Sequence, residues 1–170
     1  LGARLLKDFY PEFAAEIGAK ADAAYQEGVK KPGACQTASV KSPYIYEEDN
    51  WTDDMELAAI ELYKSTQNNR YLQQAIEYGR REPVTPWMGA DSARHYQWYP
   101  FMNMGHYWLA KTENNTRLNE EFIRNIRIGL QRTYEKARQN PFLYGIPAIW
   151  CSNNLTTAML TQCRLYREVT

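Results

Sequence analysis

WTDDMELAAIELYKSTQNNRYLQQAIEYGRR, residues 51–81, contains two helices of opposite character joined by one short turn. Met55, Leu57, Ala58, Ala59, Ile60, Leu62 and Tyr63 leave almost no polar face, which is the pattern of a helix enclosed on most sides. Asp53 and Glu56 have capping-box spacing, so this helix is expected to begin near Asp53, with Asp53 as its cap. Gln67-Asn68-Asn69 supplies the turn. The second helix, expected over 70–81, confines Tyr71, Leu72, Ala75 and Ile76 to one stripe, and Pro83 and Pro86 close it. An enclosed helix, a turn and a striped helix make a hairpin with an inside and an outside.

The same unit recurs downstream. Residues 99–111 read as a second enclosed helix, Asn114-Asn115 as its turn, and 117–138 as an amphipathic helix with Leu118, Phe122, Ile126, Leu130 and Tyr134 on one face. Asn140-Pro141 ends it, and 153–168 reads as a third mostly buried helix capped by Ser152 or Asn153. Upstream, residues 3–30 form one helical stretch interrupted near Pro11, with Leu6, Phe9, Phe13, Ile17, Ala21 and Ala24 recurring at helical spacing. Lys31-Pro32-Gly33 stops it, and 32–50 is loop-like. No segment sustains strand alternation. The expected fold is all-α: half of a ring of helical hairpins, with buried helices inside and amphipathic helices outside. The three inner helices end alike, at Leu62-Tyr63-Lys64, Leu109-Ala110-Lys111 and Leu165-Tyr166-Arg167, too far apart and too unevenly for a tetratricopeptide array. Consecutive inner helices in such a ring run parallel, so their N-termini share one rim.

Composition narrows the function. The 170 residues carry 20 Lys plus Arg against 20 Asp plus Glu, a net charge of zero that disfavours nucleic-acid binding. Apolar residues at 44% and charged residues at 24% describe one ordinary globular domain rather than a disordered chain. The charge-free run from Gln139 to Cys163 contains Pro141, Pro147 and Ser152-Asn153-Asn154, so no membrane insertion is expected. LGARLLKDFY is charged where a signal peptide would be apolar. With a first residue other than Met and a last stretch, YREVT, lacking a helix stop signal, the chain is expected to be a piece of a longer protein. Cys35, Cys151 and Cys163 have no metal-ligand spacing, His95 and His106 do not form a zinc pair, and no Gly-rich phosphate loop occurs, so no cofactor or metal is expected.

The aromatics point to sugar. Five Trp and 13 Tyr dominate the aromatic content, and these side chains offer a flat apolar body with a polar handle. Trp51, Trp98 and Trp150 each precede the start of an inner helix, where they would gather on the shared rim. Asp53, Asp54, Gln97, Ser152, Asn153 and Asn154 are polar neighbours able to bond hydroxyls. The bland alternative is that the tryptophans only cap the core. Other chemistry is thin: the histidines read as structural and Cys151 as a small buried residue without a histidine to activate it. The acidic run Glu47-Glu48-Asp49 with Asp53-Asp54 reads either as a proton-handling cluster or as solvated Glu47 and Glu48 beside a helix-capping Asp53.

YEEDNWTDDMELAAIELYKSTQNNRYL (46–72), HYQWYPFMNMGHYWLAK (95–111) and GIPAIWCSNNLTTAMLTQCRLYREVT (145–170) resemble, in order, three segments of glycoside hydrolase family 9, the inverting cellulase family. The resemblance covers about two-thirds of the chain and implies half of an (α/α)6 barrel. It also implies cleavage of β-glucan bonds by a base that activates water and an acid that protonates the leaving oxygen. That base lies in a D-A-G-D motif and the acid in a C-terminal Glu motif, neither of which occurs in these 170 residues, so no catalytic residue is assigned. By the same resemblance Trp51, Trp98 and Trp150 align with cleft aromatics that stack glucosyl rings; Asp53 and Asn153, from the polar neighbours on the rim, complete the expected substrate-binding set. Cys151 stands where the family often has Gly, and Leu57 where it often has Trp. The implied partners are an oligosaccharide or polysaccharide and the remainder of the barrel; the implied location is secreted or periplasmic. A non-catalytic carbohydrate-binding toroid and a peptide-binding helical scaffold are the alternatives.

Overall fold

The computed structural model describes residues 1–33, 51–85, 88–89, 102–113, 115–148 and 152–170, the last without the side chain of Ser152. These residues form helices α1 (Gly2–Leu6), α2 (Pro11–Lys30), α3 (Thr52–Thr66), α4 (Asn69–Arg81), α5 (Met104–Ala110), α6 (Thr116–Arg138) and α7 (Ser152–Val169). No strand occurs among the described residues.

Local chemistry sets the boundaries. Pro11 sits at the first position of α2, where its missing N–H costs nothing, and Tyr10 before it stands outside the helical region at φ −140°, ψ 70°. Gln67 adopts φ 58° to close α3, and the Asn68 side chain then accepts the Arg70 N–H to open α4. Asn115 opens α6 the same way by accepting the Leu118 N–H. The expected capping box of α3 does not form. Trp51 occupies the cap position without a side-chain bond, Asp53 lies inside the helix, and Glu56 is turned inward to a histidine instead. The second inner helix starts later than the pattern predicts, at Met104, because Asn103 turns left-handed at φ 60°. Neither expected cap of α7 holds: Ser152 and Asn153 are its first two helical residues.

Inside and outside are as the periodicity requires. No residue of α3 from Met55 to Lys64 is exposed, and none of α5 is. On α4 the buried set is Tyr71, Ala75, Ile76, Tyr78 and Gly79; on α6 it includes Leu118, Phe122 and Ile126. Phe122 and Ile60 anchor the main core with Leu109, Tyr25 and Tyr71. Met88, Met102, Ile146 and Leu155 form a second cluster toward α7.

Side-chain contacts give the directions. Glu56 meets His106 near the starts of α3 and α5, and the Lys64 ammonium lies over the Trp108 ring near their ends, so these helices run parallel. Asn103 bonds Gln162 while Tyr107, one turn on, donates to Glu168, so α5 and α7 are parallel too. Trp51 touches Tyr78, and Asn119 donates to the Leu109 and Ala110 carbonyls, making α3/α4 and α5/α6 antiparallel hairpins. Parallel inner helices with antiparallel outer partners are half of an (α/α)6 barrel.

Two expected faces differ. On α2, Phe9 just ahead of it, Phe13 and Ala24 are exposed, and burial falls on Ala14 and Tyr25, because the Tyr25–Tyr71 ring contact and the approach of Gly28 to Met55 orient the helix. Among its described side chains the third inner helix, α7, buries only the stripe Leu155, Ala158, Gln162 and Leu165. Its other flank is open, leaving Leu160 and, across on α6, Tyr134 exposed. Between α6 and α7 runs an apolar groove of about 490 Å³ lined by Leu130, Tyr134, Leu143, Met159 and Leu160.

Candidate functional site at the inner-helix rim

Trp51 and Asp53 stand together at the start of α3. The Trp51 ring is half-buried and meets Tyr78 edge-on at 6.0 Å, while its carbonyl accepts the Met55 N–H at 3.1 Å. The ring contact braces the indole and the carbonyl bond ties the residue to the helix. Burial pushes the Asp53 carboxyl above its ordinary value and the neighbouring Asp54 charge adds to this; backbone N–H groups and the His106 charge pull the other way.

Beneath Asp53 lies a charge pair that the sequence reading missed. Glu56 is 2% exposed and His106 3%. His106 Nδ1 lies 2.7 and 2.8 Å from the two Glu56 oxygens, and Nε2 donates to the Pro83 carbonyl at 3.1 Å. Two acceptors facing both ring nitrogens favour the imidazolium. Burial alone would drive the His106 pKa down, but the Glu56 carboxylate and the Pro83 carbonyl lift it above its ordinary value. For Glu56, burial raises the carboxyl pKa and His106 opposes the rise. A signal existed: a carboxylate amid Met55-Glu56-Leu57-Ala58-Ala59-Ile60 needs a buried partner, and so does a histidine in an enclosed helix.

A second polar thread joins the next inner helix. Thr85 donates to Asn103 at 2.8 Å, Asn103 donates to Gln162 at 2.8 Å, and Gln162 donates to the Met102 carbonyl at 2.7 Å. Because Gln162 lies well inside α7, that helix starts roughly 15 Å beyond the start of α5, at 1.5 Å per residue. The rim is therefore stepped. Asn153 is exposed on the projecting first turn of α7, far above the level of Asp53. Trp98, Trp150, Gln97, His95 and Cys151 lie outside the described residues. Among the described residues no group of three His, Cys, Asp or Glu is placed to hold a metal, and no helix is long and apolar enough to cross a membrane.

Parallel inner helices and outer helices folded back upon them define a protein of the (α/α)6-barrel class. The chain belongs to glycosyl hydrolase family 9, whose sequence model matches residues 1–170, and this places it among glycoside hydrolases of cellulose-type substrates. Among curated proteins none matches it.

Proposed function

We propose that residues 1–170 are the middle part of an inverting β-glucanase domain and form one wall of its substrate cleft. Trp51, Trp98 and Trp150 stack glucosyl rings, Asp53 and Asn153 bond sugar hydroxyls, and the base and acid come from elsewhere in the same domain. The remainder of the barrel would cover the open flank of α7. The single observation that supports this reading most is Trp51, half-buried and braced by Tyr78 beside the Asp53 carboxylate at the start of an inner helix. The stepped rim suits an extended polymer, because contacts at different heights follow a chain rather than enclose a small molecule. A polymer of that size is met outside the cytoplasm, so the protein is secreted or periplasmic.

The test is Trp→Ala at each of the three positions in the full-length protein, followed by affinity for cellopentaose and by thermal melting. Loss of one stacking plate costs on the order of 1–3 kcal/mol of binding, by analogy with aromatic platforms under bases. Truncating a core tryptophan costs roughly 3–5 kcal/mol of stability instead. Unchanged affinity with a collapsed melting temperature in all three variants would assign them to the core.

A further inference from the structure

Glu56 and His106 lie one turn below the rim, too deep to touch a sugar, yet their setting constrains the rim closely. A Cβ on Gly105 would lie 2.6 Å from Glu56 Cδ, and one on Gly79 would lie 2.7 Å from Glu56 Oε1. The carboxylate thus fills the gap between α4 and α5, with only glycine backbone on two sides and the imidazole on a third. An apolar pair could fill a similar volume, and buried ion pairs are often no more stabilising than such a filling. What the hydrogen-bonded pair supplies is direction, since bonds of 2.7–2.8 Å tolerate only small displacements.

The connection to the rim is short. Asp53 and Glu56 are three residues apart and so share a face of α3. Trp51 hangs on the same first turn through its carbonyl, and Tyr78, next to Gly79, braces its ring. The charged groups facing the pair are Asp53 from α3 and Glu82 from the segment after α4; α6 contributes the apolar ring of Phe122, 4.9 Å from the imidazole. We propose that Glu56 and His106 are a positioning pair for substrate: wedged between Gly79 and Gly105, they fix the height and rotation of Trp51 and Asp53 against α5. The proposal rests on the rim being the sugar cleft.

The experiment compares three variants of the full-length protein by thermal melting, cellopentaose affinity, and KM and kcat on barley β-glucan. The double variant Glu56→Met with His106→Phe replaces the pair by apolar side chains and removes its direction. It is expected to melt close to the parent while KM rises on the order of tenfold, as for a displaced binding group, with kcat within about twofold. Glu56→Gln preserves the link, because the amide can donate to Nδ1 while Nε2–H still reaches Pro83. It is expected to keep affinity within about twofold of the parent. Trp51→Ala is the control for the cleft itself. If Trp51→Ala weakens binding but the stable double variant retains the parental KM, the positioning role is refuted and the cleft reading stands. A folded Glu56→Gln protein that has lost affinity also refutes it, even where the double variant fails to fold. If Trp51→Ala binds normally, the cleft reading fails and the positioning role falls with it.

Discussion

Replacing His106 by Ala tests the buried pair as a source of stability. The change leaves the Glu56 carboxylate, 2% exposed, without its cation, removes the donor to the Pro83 carbonyl, and opens space beside Phe122. Breaking a buried ion pair by removing one partner costs about 3–5 kcal/mol. A loss of that size is expected in the unfolding free energy of the full-length protein. The pH dependence sharpens the test. His106 has a folded pKa above its ordinary 6.5, so its stabilisation is complete below pH 6.5 and is lost as pH rises through the folded value. Without His106 nothing opposes burial at Glu56, and the variant should lose stability from about pH 4.5, the ordinary value of a glutamate, more steeply than the parent. Urea unfolding of both full-length proteins at a series of pH values measures this gap. A gap below about 1 kcal/mol at pH 7, or one that narrows between pH 4.5 and 6.5, would refute a charged, mutually dependent pair.

Gly105→Ala places a methyl group against Glu56 and should cost about 1–3 kcal/mol, read as a lower urea midpoint; an unchanged midpoint would mean that the carboxylate has room to move. Asp53→Asn should raise the melting temperature at pH 7 while weakening cellopentaose binding. Its folded pKa is raised, so the ionised carboxylate lowers stability as pH climbs above the ordinary 3.8, and a lower melting temperature would contradict this. Residues 1–170 expressed alone should release no reducing sugar from barley β-glucan, because the D-A-G-D and C-terminal Glu motifs are absent from them; release above a heat-killed control would overturn the division of labour.

The alternation of enclosed and striped helices was readable because periodicity reports how many sides of a helix are covered, and α3 to α6 obey it. Pro11 and the Asn-containing turns were equally plain, since they act through local backbone chemistry. Burial on α2 was misjudged because a helix rich in alanine has no dominant stripe, and a distant tyrosine decides its rotation. Asp53 and Glu56 illustrate the harder limit. Their spacing matched a local motif, but a partner fifty residues away in sequence claimed the glutamate, and a cap worth about 1 kcal/mol yields to an otherwise unpaired buried charge. The same long range hid Asn103 and Gln162. At the site, the pairing of Trp51 with Asp53 follows from adjacency, whereas the height of α7 depends on a contact that no pattern along the chain encodes.

The long-range polar thread also bears on how the chain reaches its fold. Hairpins α3/α4 and α5/α6 join neighbours in sequence and close early, because short loops lose little entropy. Docking one hairpin on the next is slower and admits errors: apolar faces slide, and a slip of one turn still buries leucines and alanines. The Glu56–His106 and Asn103–Gln162 links do not tolerate such a slip, since each misplaced register strands a charge or an amide in the dry interior. These links therefore act as a registration check late in assembly, rejecting near-native arrangements that hydrophobic burial alone would accept. Folding kinetics can expose this: Glu56→Gln should leave the folding rate nearly unchanged and speed unfolding, and a slowed folding rate instead would move the check into the nucleus.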